Sequence, residues 1–210
     1  EKIEKISTSA EEKFILITSL IYAADKVANT VGHYDAYREK LDMKGKLELL
    51  LPNIDYSKNR NNKVYCMDSN ILTNEIKGDV VYIDPPYNSR QYSDTYHLLD
   101  NLALWKKPEV FGKAKKMDRS NIKSKYCRKD AVVEFKDLIT KLNTKHIIVS
   151  YNNTENTKHG RSNAKISFNQ IKNILMKKGK TEINQIDFKA FTTGKSKTDN
   201  HKEILFYCKV

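Results

Sequence analysis

Glycine is scarce in this chain. The seven residues, at 32, 45, 78, 112, 160, 179 and 194, include no Gly-x-Gly pair, so no glycine-rich cofactor turn lies within the sequence. Cysteine is scarcer still: Cys66, Cys127 and Cys208 are widely spaced and odd in number. No Cys-x-x-Cys pair or Cys/His cluster has zinc spacing, and the five histidines are scattered, so neither a disulfide framework nor a metal site is expected. This usage reads as a reducing, cytoplasmic compartment. Long apolar runs are also missing. The longest, 14–24, is interrupted by Thr18 and Ser19 and is too short to span a bilayer, and no signal-peptide pattern precedes it. The first residue is Glu1 rather than Met, and the true start is expected upstream.

What is abundant is positive charge. Over 210 residues, 38 Lys and Arg against 26 Asp and Glu leave a formal net charge of +12. A soluble protein this basic commonly meets a polyanion, because each Lys or Arg beside a phosphate releases condensed counterions. A basic, AT-rich proteome would give the same lysine abundance, so charge alone does not decide for nucleic acid.

Ser9-Ala10-Glu11-Glu12 has the form of a capping box ahead of an apolar run and predicts a helix over 10–29, apolar on nearly every side and hence buried. A second helical stretch is expected over 34–43 and a short strand over 47–51, closed by Pro52; 53–63 reads as a loop. From there strands and helices alternate: strand 63–66, helix 69–76, strand 80–83, helix 94–105, helix 131–142, strand 146–149 and helix 168–178. The run Val80-Val81-Tyr82-Ile83 has the composition of a parallel strand buried on both faces. Two further strands, 182–191 and 203–210, have no long helix between them and are expected to pair antiparallel. The fold class is therefore α/β, finished by a hairpin.

Directly after the strand ending at Ile83 stands Asp84-Pro85-Pro86-Tyr87. Ligands of open α/β sheets bind at the carboxyl ends of strands, which is where this tetrapeptide falls. Its groups suit one reaction, alkylation of an aromatic amine. The lone pair of such an amine is delocalised into the ring. Two acceptors aimed at its hydrogens draw the nitrogen toward a tetrahedral shape and disperse the charge that develops on it. The Asp84 carboxylate and the Pro85 carbonyl are such acceptors, Pro85 and Pro86 stiffen the turn, and Tyr87 offers a face on which an extruded base can stack. The bland alternative is that Pro-Pro merely ends a strand while Tyr87 packs nearby.

Asp84 to Tyr92, DPPYNSRQY, followed by Tyr96-His97-Leu98-Leu99, resembles the Dam-related type II adenine-N6 DNA methyltransferases. The likeness extends to the segment 23–30, to Val64-Tyr65-Cys66-Met67-Asp68 and to Ser150-Tyr151-Asn152-Asn153. It implies catalytic roles for Asp84, Pro85, Pro86 and Tyr87, and S-adenosylmethionine as cofactor, with Asp68, Ser69 and Asp84 in contact with it. It also implies a partial Rossmann-like methyltransferase sheet, mostly parallel, with the antiparallel hairpin at its C-terminal end. That family holds the methionine part of its cofactor on a glycine-rich turn after the first strand. Neither that turn nor the preceding segment is found here, so the first two strands are expected to be missing from this chain and supplied by an N-terminal segment or a complementing chain. On this reading 1–62 is a helical segment on the target-recognition side and 63–210 the catalytic portion.

Between 106 and 129 ten basic residues face two acidic ones. This segment is the best candidate for phosphate contacts to double-stranded DNA, through Lys115, Lys116, Arg119, Lys123 and Lys125; the alternative is a solvated lysine-rich loop. Asn88, Arg90 and Tyr92 are expected nearer the target base. Lys58, Arg60 and Lys63 form a lesser cluster, read as plain surface. His97 is either catalytic or a hydrogen-bonded structural histidine, Asp68 either a helix cap or a cofactor contact or both, and Tyr151 either core packing or the border of the site. Related motifs also serve RNA-base and protein-glutamine methylation, and the absent turn admits a catalytically silent DNA-binding remnant or specificity component. A companion restriction endonuclease is compatible with each DNA reading.

Overall fold

A computed structural model describes residues 1–30, 32–37, 39–40, 45–55, 61–156, 163–187 and 201–210. The chain divides into two compact units, one of residues 1–62 with 92–123 and the other of 63–91 with 124–210.

The second unit carries a four-stranded sheet built from β1 (Val80–Ile83), β2 (His146–Asn152), β3 (Lys180–Asp187) and β4 (Lys202–Lys209), in the order β1-β2-β4-β3. β1 runs parallel to β2, with Ile83 beside Val149; β4 is antiparallel to both β2 and β3. The expected hairpin is therefore present. The expectation of a mostly parallel sheet is corrected: one of these pairings is parallel, because β4 inserts beside β2 and β1 has no neighbour on its outer edge among the described residues.

One face of the sheet carries the core. Ile147, Val149 and Tyr151 of β2 and Ile204, Phe206 and Cys208 of β4 alternate inward, as strand geometry dictates. They meet Phe135, Leu138 and Ile139 of α5 (Ala131–Lys141) and Ile171 and Leu175 of α6 (Phe168–Met176). Ser167 opens α6 with a complete capping box to Gln170. At Gly179 a Cβ would sit 2.1 Å from the Lys209 carbonyl oxygen, so only glycine lets β3 start this close to the end of β4. The opposite face is open. Val80, Tyr82, Leu205 and Ile186 are all exposed, Tyr82 at 60%, so β1 is buried on one face and not on both as its composition suggested.

Two other expected strands do not form. Residues 47–51 and 63–66 carry no regular secondary structure and pair with no strand among the described residues, and Val64 is 95% exposed; an apolar run without a neighbouring strand leaves its backbone groups to water. The helix expected over 69–76 shortens to α3 (Ser69–Leu72) followed by a turn.

The first unit holds α1 (Lys2–Ile6), α2 (Ala10–Val27) and α4 (Tyr92–Ala103). Ser9 caps α2 by accepting from Glu12 N–H, as read from the sequence, while the Glu12 carboxylate accepts from Thr8 rather than from Ser9. Only Ser19 and Ala23 of α2 are buried and Phe14 and Tyr22 are exposed, so the expectation of an all-round buried helix is corrected: α2 packs on α4 and touches α1, where Lys13 pairs with Glu4, but is not enclosed on every side. Residues 34–37 form turns, not a helix; 38 and 41–44 lie outside the described residues, as do Lys58, Arg60 and 188–191 of the expected strand 182–191. No described helix is long and apolar enough to cross a membrane.

Candidate active site and nucleic-acid contacts

The motif leaves the sheet at the carboxyl end of β1, beside the carboxyl end of its parallel neighbour β2. Asp84 is exposed, and its carboxylate makes no hydrogen bond or ion pair among the described residues. Pro85 is buried, yet its carbonyl oxygen accepts no hydrogen bond either. Two acceptors from consecutive residues are thus left unengaged at the end of a fixed strand.

Tyr87, by contrast, is tied down. Its carbonyl accepts from Lys165 N–H at 2.7 Å and from the Tyr151 hydroxyl at 3.3 Å. The Tyr151 hydroxyl in turn accepts from Ile166 N–H at 3.2 Å. Burial pushes that hydroxyl up to about 12, so it remains a donor across the physiological range. The two rings meet edge-on, 6.3 Å between centroids and 83° between planes, and Tyr87 remains 40% exposed. The two alternatives posed for Tyr151 therefore combine: it is core, and it holds the motif.

Farther along, Asn88 Oδ1 accepts from Arg90 N–H at 2.9 Å, an Asx turn. The Arg90 carbonyl accepts from the Cys127 thiol, and the Arg90 guanidinium makes no ion pair among the described residues. Gln91 is buried and grips both backbone groups of Ser124, its Nε2 donating to the carbonyl at 3.0 Å and its Oε1 accepting from N–H at 2.8 Å. Sequence reasoning gave Gln91 no such role, since its partner lies 33 residues away.

Beside the motif, Asn152 is buried and accepts from Thr154, while Asn153 Oδ1 accepts from Lys202 N–H at 2.9 Å and so fixes the entry to β4. Glu203 pairs with Asn152 across β2 and β4. Burial raises the Glu203 carboxyl, outweighing the opposing pull of His201, with the negative charge of Asp84 adding a lesser push upward. Asp68 caps α3 by accepting from Asn70 N–H at 2.8 Å, and Asp68 and Ser69 are both exposed.

The expected nucleic-acid residues divide between the units. Asn88, Arg90 and Lys125 belong to the sheet unit, Tyr92, Lys115, Lys116, Arg119 and Lys123 to the helical one. Tyr92 is exposed and stacks on Tyr96 (6.0 Å, 16°). Phe111 and Lys116 form a two-residue bridge that closes a turn and presents exposed Lys115 in a left-handed conformation, φ 46°. Lys123 is exposed. Lys116 is engaged by Asp35 at 2.6 Å, and Lys125 by Glu134 at 2.9 Å. Arg119, only 12% exposed, pairs with Asp35 at 3.4 Å and Asp94 at 3.1 Å. His97 is buried, its Nδ1 3.0 Å from the Asp94 carbonyl oxygen and 3.3 Å from Arg119, which is the hydrogen-bonded structural histidine of the two alternatives.

An Asp-Pro-Pro-Tyr corner thus stands at a strand end of a mixed α/β sheet, with its two acceptors unengaged among the described residues and Tyr87 partly exposed. Residues 12–162 match the model of the D12 class N6 adenine-specific DNA methyltransferases, and the chain belongs to that family. It is 37% identical over 202 residues to "Modification methylase StsI" of Streptococcus sanguinis, covering 93% of this chain and 30% of the relative. Identity to "Type II methyltransferase M.NlaIII" of Neisseria lactamica is 35% over 191 residues, 90% of this chain and 54% of the relative. With "Type II methyltransferase M.FokI" of Planomicrobium okeanokoites it is 42% over 138 residues, 65% of this chain and 21% of the relative. The chain thus spans between a fifth and about half the length of these relatives. No solved structure matches it significantly.

Proposed function

We propose that this chain carries the base-binding and catalytic half of an enzyme that transfers a methyl group from S-adenosylmethionine to the N6 amine of an adenine flipped out of double-stranded DNA. The observation that carries the proposal is the unengaged pair of acceptors, the Asp84 carboxylate and the Pro85 carbonyl, next to a tyrosine ring whose backbone is pinned by Tyr151 and Lys165. The two acceptors take the two N6 hydrogens, Pro86 keeps the Pro85 carbonyl in place, and the adenine stacks on Tyr87. As the N6 lone pair forms the new N–CH3 bond, the donor's S–CH3 bond breaks and its electrons stay on sulfur. The surplus proton leaves N6 along the hydrogen bond to Asp84 and passes to water, so no strong base is required.

S-adenosylmethionine supplies an activated methyl group. Asp68 and Ser69, both exposed at the start of α3, would make polar contacts to its adenosine half, and Asp84 would face its reacting end. The residues present do not provide for the methionine half, because no Gly-x-Gly turn exists in the sequence. A strand-bearing N-terminal segment or complementing chain, carrying the family's first two strands, would provide it. The open outer edge of β1 and the bare face of Val80 and Tyr82 support this reading, since unpaired strand edges and apolar faces are covered in stable folds. Phosphate contacts are proposed for the exposed cations that have no ion pair among the described residues, Arg90 in the sheet unit and Lys115 and Lys123 in the helical one, with Asn88 and Tyr92 each proposed to meet the base region. Lys116 and Arg119 of the helical unit and Lys125 of the sheet unit would add positive charge from within ion pairs. A restriction endonuclease of matching specificity is the partner proposed for such an enzyme.

The test is transfer of a labelled methyl group to duplex DNA or to RNA, followed by digestion to nucleosides. Label in N6-methyladenine from DNA is expected. Label from RNA alone, or none with DNA-binding retained, would favour the RNA-directed or the silent reading.

A further inference from the structure

We infer that Trp105, with Lys106 and Lys107, forms a second DNA contact in which an unstacked base lies on the indole; the inference rests on the reading of DNA as the substrate.

α4 ends in a closed turn: Lys106 N–H donates to the Asn101 carbonyl at 2.8 Å and Trp105 N–H to the Leu102 carbonyl at 3.3 Å. The residue at the reversal is Trp105, with φ 52°. That left-handed position suits glycine and is costly for a bulky side chain. The turn would be better served without the ring, so what the indole supplies lies outside the turn. Strain of this kind concentrates at sites of binding and catalysis.

The indole is both anchored and available. With Ala24, Ala28, Leu98 and Leu102 it lines an apolar cavity of about 340 Å³, yet it remains 43% exposed. The Lys107 ammonium rests over the ring, 4.7 Å from its centroid. Lys106 and Lys107 are exposed and have no carboxylate partner among the described residues, whereas Lys113, Lys116, Arg119 and Lys125 each have one. An anchored aromatic face followed by two cations that have no carboxylate partner among the described residues is the combination that holds an unpaired nucleotide: the ring takes the base, the cations its phosphates. An apolar protein segment would leave the two ammonium groups without countercharge. On binding, the base displaces the Lys107 ammonium from the ring and the ammonium meets the adjacent phosphate.

Trp105 is the single tryptophan of the chain, so its emission reports the contact directly. Protein active in methyl transfer is titrated with a short duplex carrying one mispaired base. Anisotropy of labelled DNA follows binding, and a parallel titration with unlabelled DNA follows the tryptophan emission that Trp105→Phe removes. Quenching in step with binding is expected. Trp105→Gly relieves the left-handed φ but gives up the apolar contacts of the ring, so its melt is measured first, and in its folded form it should bind DNA about tenfold or more weakly. Parental affinity in a folded Trp105→Gly variant overturns the inference. If that variant melts lower, the parent decides: emission unchanged at saturating DNA overturns the inference while leaving the methylation reading intact. If no DNA is bound at all, the DNA reading falls and the inference falls with it.

Discussion

The Tyr151 hydroxyl donates to the Tyr87 carbonyl at 3.3 Å while the Tyr151 ring meets the Tyr87 ring edge-on at 6.3 Å. One buried side chain thus fixes both the backbone and the ring of the residue proposed to carry the base. Tyr151→Phe keeps the ring contact and removes the hydroxyl, which leaves Ile166 N–H without its acceptor. The expected cost in unfolding free energy is about 1–2 kcal/mol, and kcat should fall about tenfold through misplacement of the base. A denaturant melt and steady-state kinetics check both; unchanged kcat would mean that the clamp is irrelevant to the chemistry.

Gln91 does for the end of the motif loop what Tyr151 does for its start. Gln91→Leu, of similar size, leaves the Ser124 N–H and carbonyl without their carboxamide partners and should cost roughly 1–3 kcal/mol. Thermal melting measures this, and a melting temperature equal to the parent's would show that water replaces the carboxamide.

The elements most legible in the sequence were those with local causes. Ser9 and its apolar run marked α2, Val80 to Ile83 marked β1, and the missing helix between the last two strands marked the hairpin. The motif stood out because Asp-Pro-Pro-Tyr came directly after a strand. Unreadable were features whose partners are distant in the chain. Whether 63–66 pairs depends on strands elsewhere, and nothing local distinguishes a cation awaiting a phosphate from Arg119, whose Asp35 partner lies 84 residues upstream. Burial of β1 on one face rather than both was hidden for the same reason: composition describes what a strand tolerates, not what covers it.

Asp35 gives the helical unit an acid sensitivity. Burial works to raise its carboxyl, but Lys116 and Arg119 outweigh burial and hold it below the usual carboxylate range. A carboxylate lowered in the fold contributes stability that is present above its unfolded pKa of about 4 and is lost as pH falls through the folded value. Asp35→Asn should therefore lower stability at pH 7 and converge with the parent at strongly acid pH. Melts across pH test this; a difference that persists at acid pH would assign the loss to packing.

Uncommitted and committed lysines should separate in salt titrations of DNA binding. Lys115→Ala and Lys123→Ala are each expected to reduce the slope of log affinity against log salt by about one. Lys116→Ala should change it less, since Asp35 already balances that ammonium. Equal slopes for all three variants would argue against the ion pair persisting in solution.

The most direct measurement is single-turnover methyl transfer to adenine in DNA by Asp84→Ala. Asp84 is exposed and bonds to nothing else described, so the variant should melt as the parent does. Loss of one of two acceptors for the developing charge predicts a rate lower by about 10²–10³ with DNA still bound. A folded Asp84→Ala protein that methylates adenine at the parental rate would contradict the account.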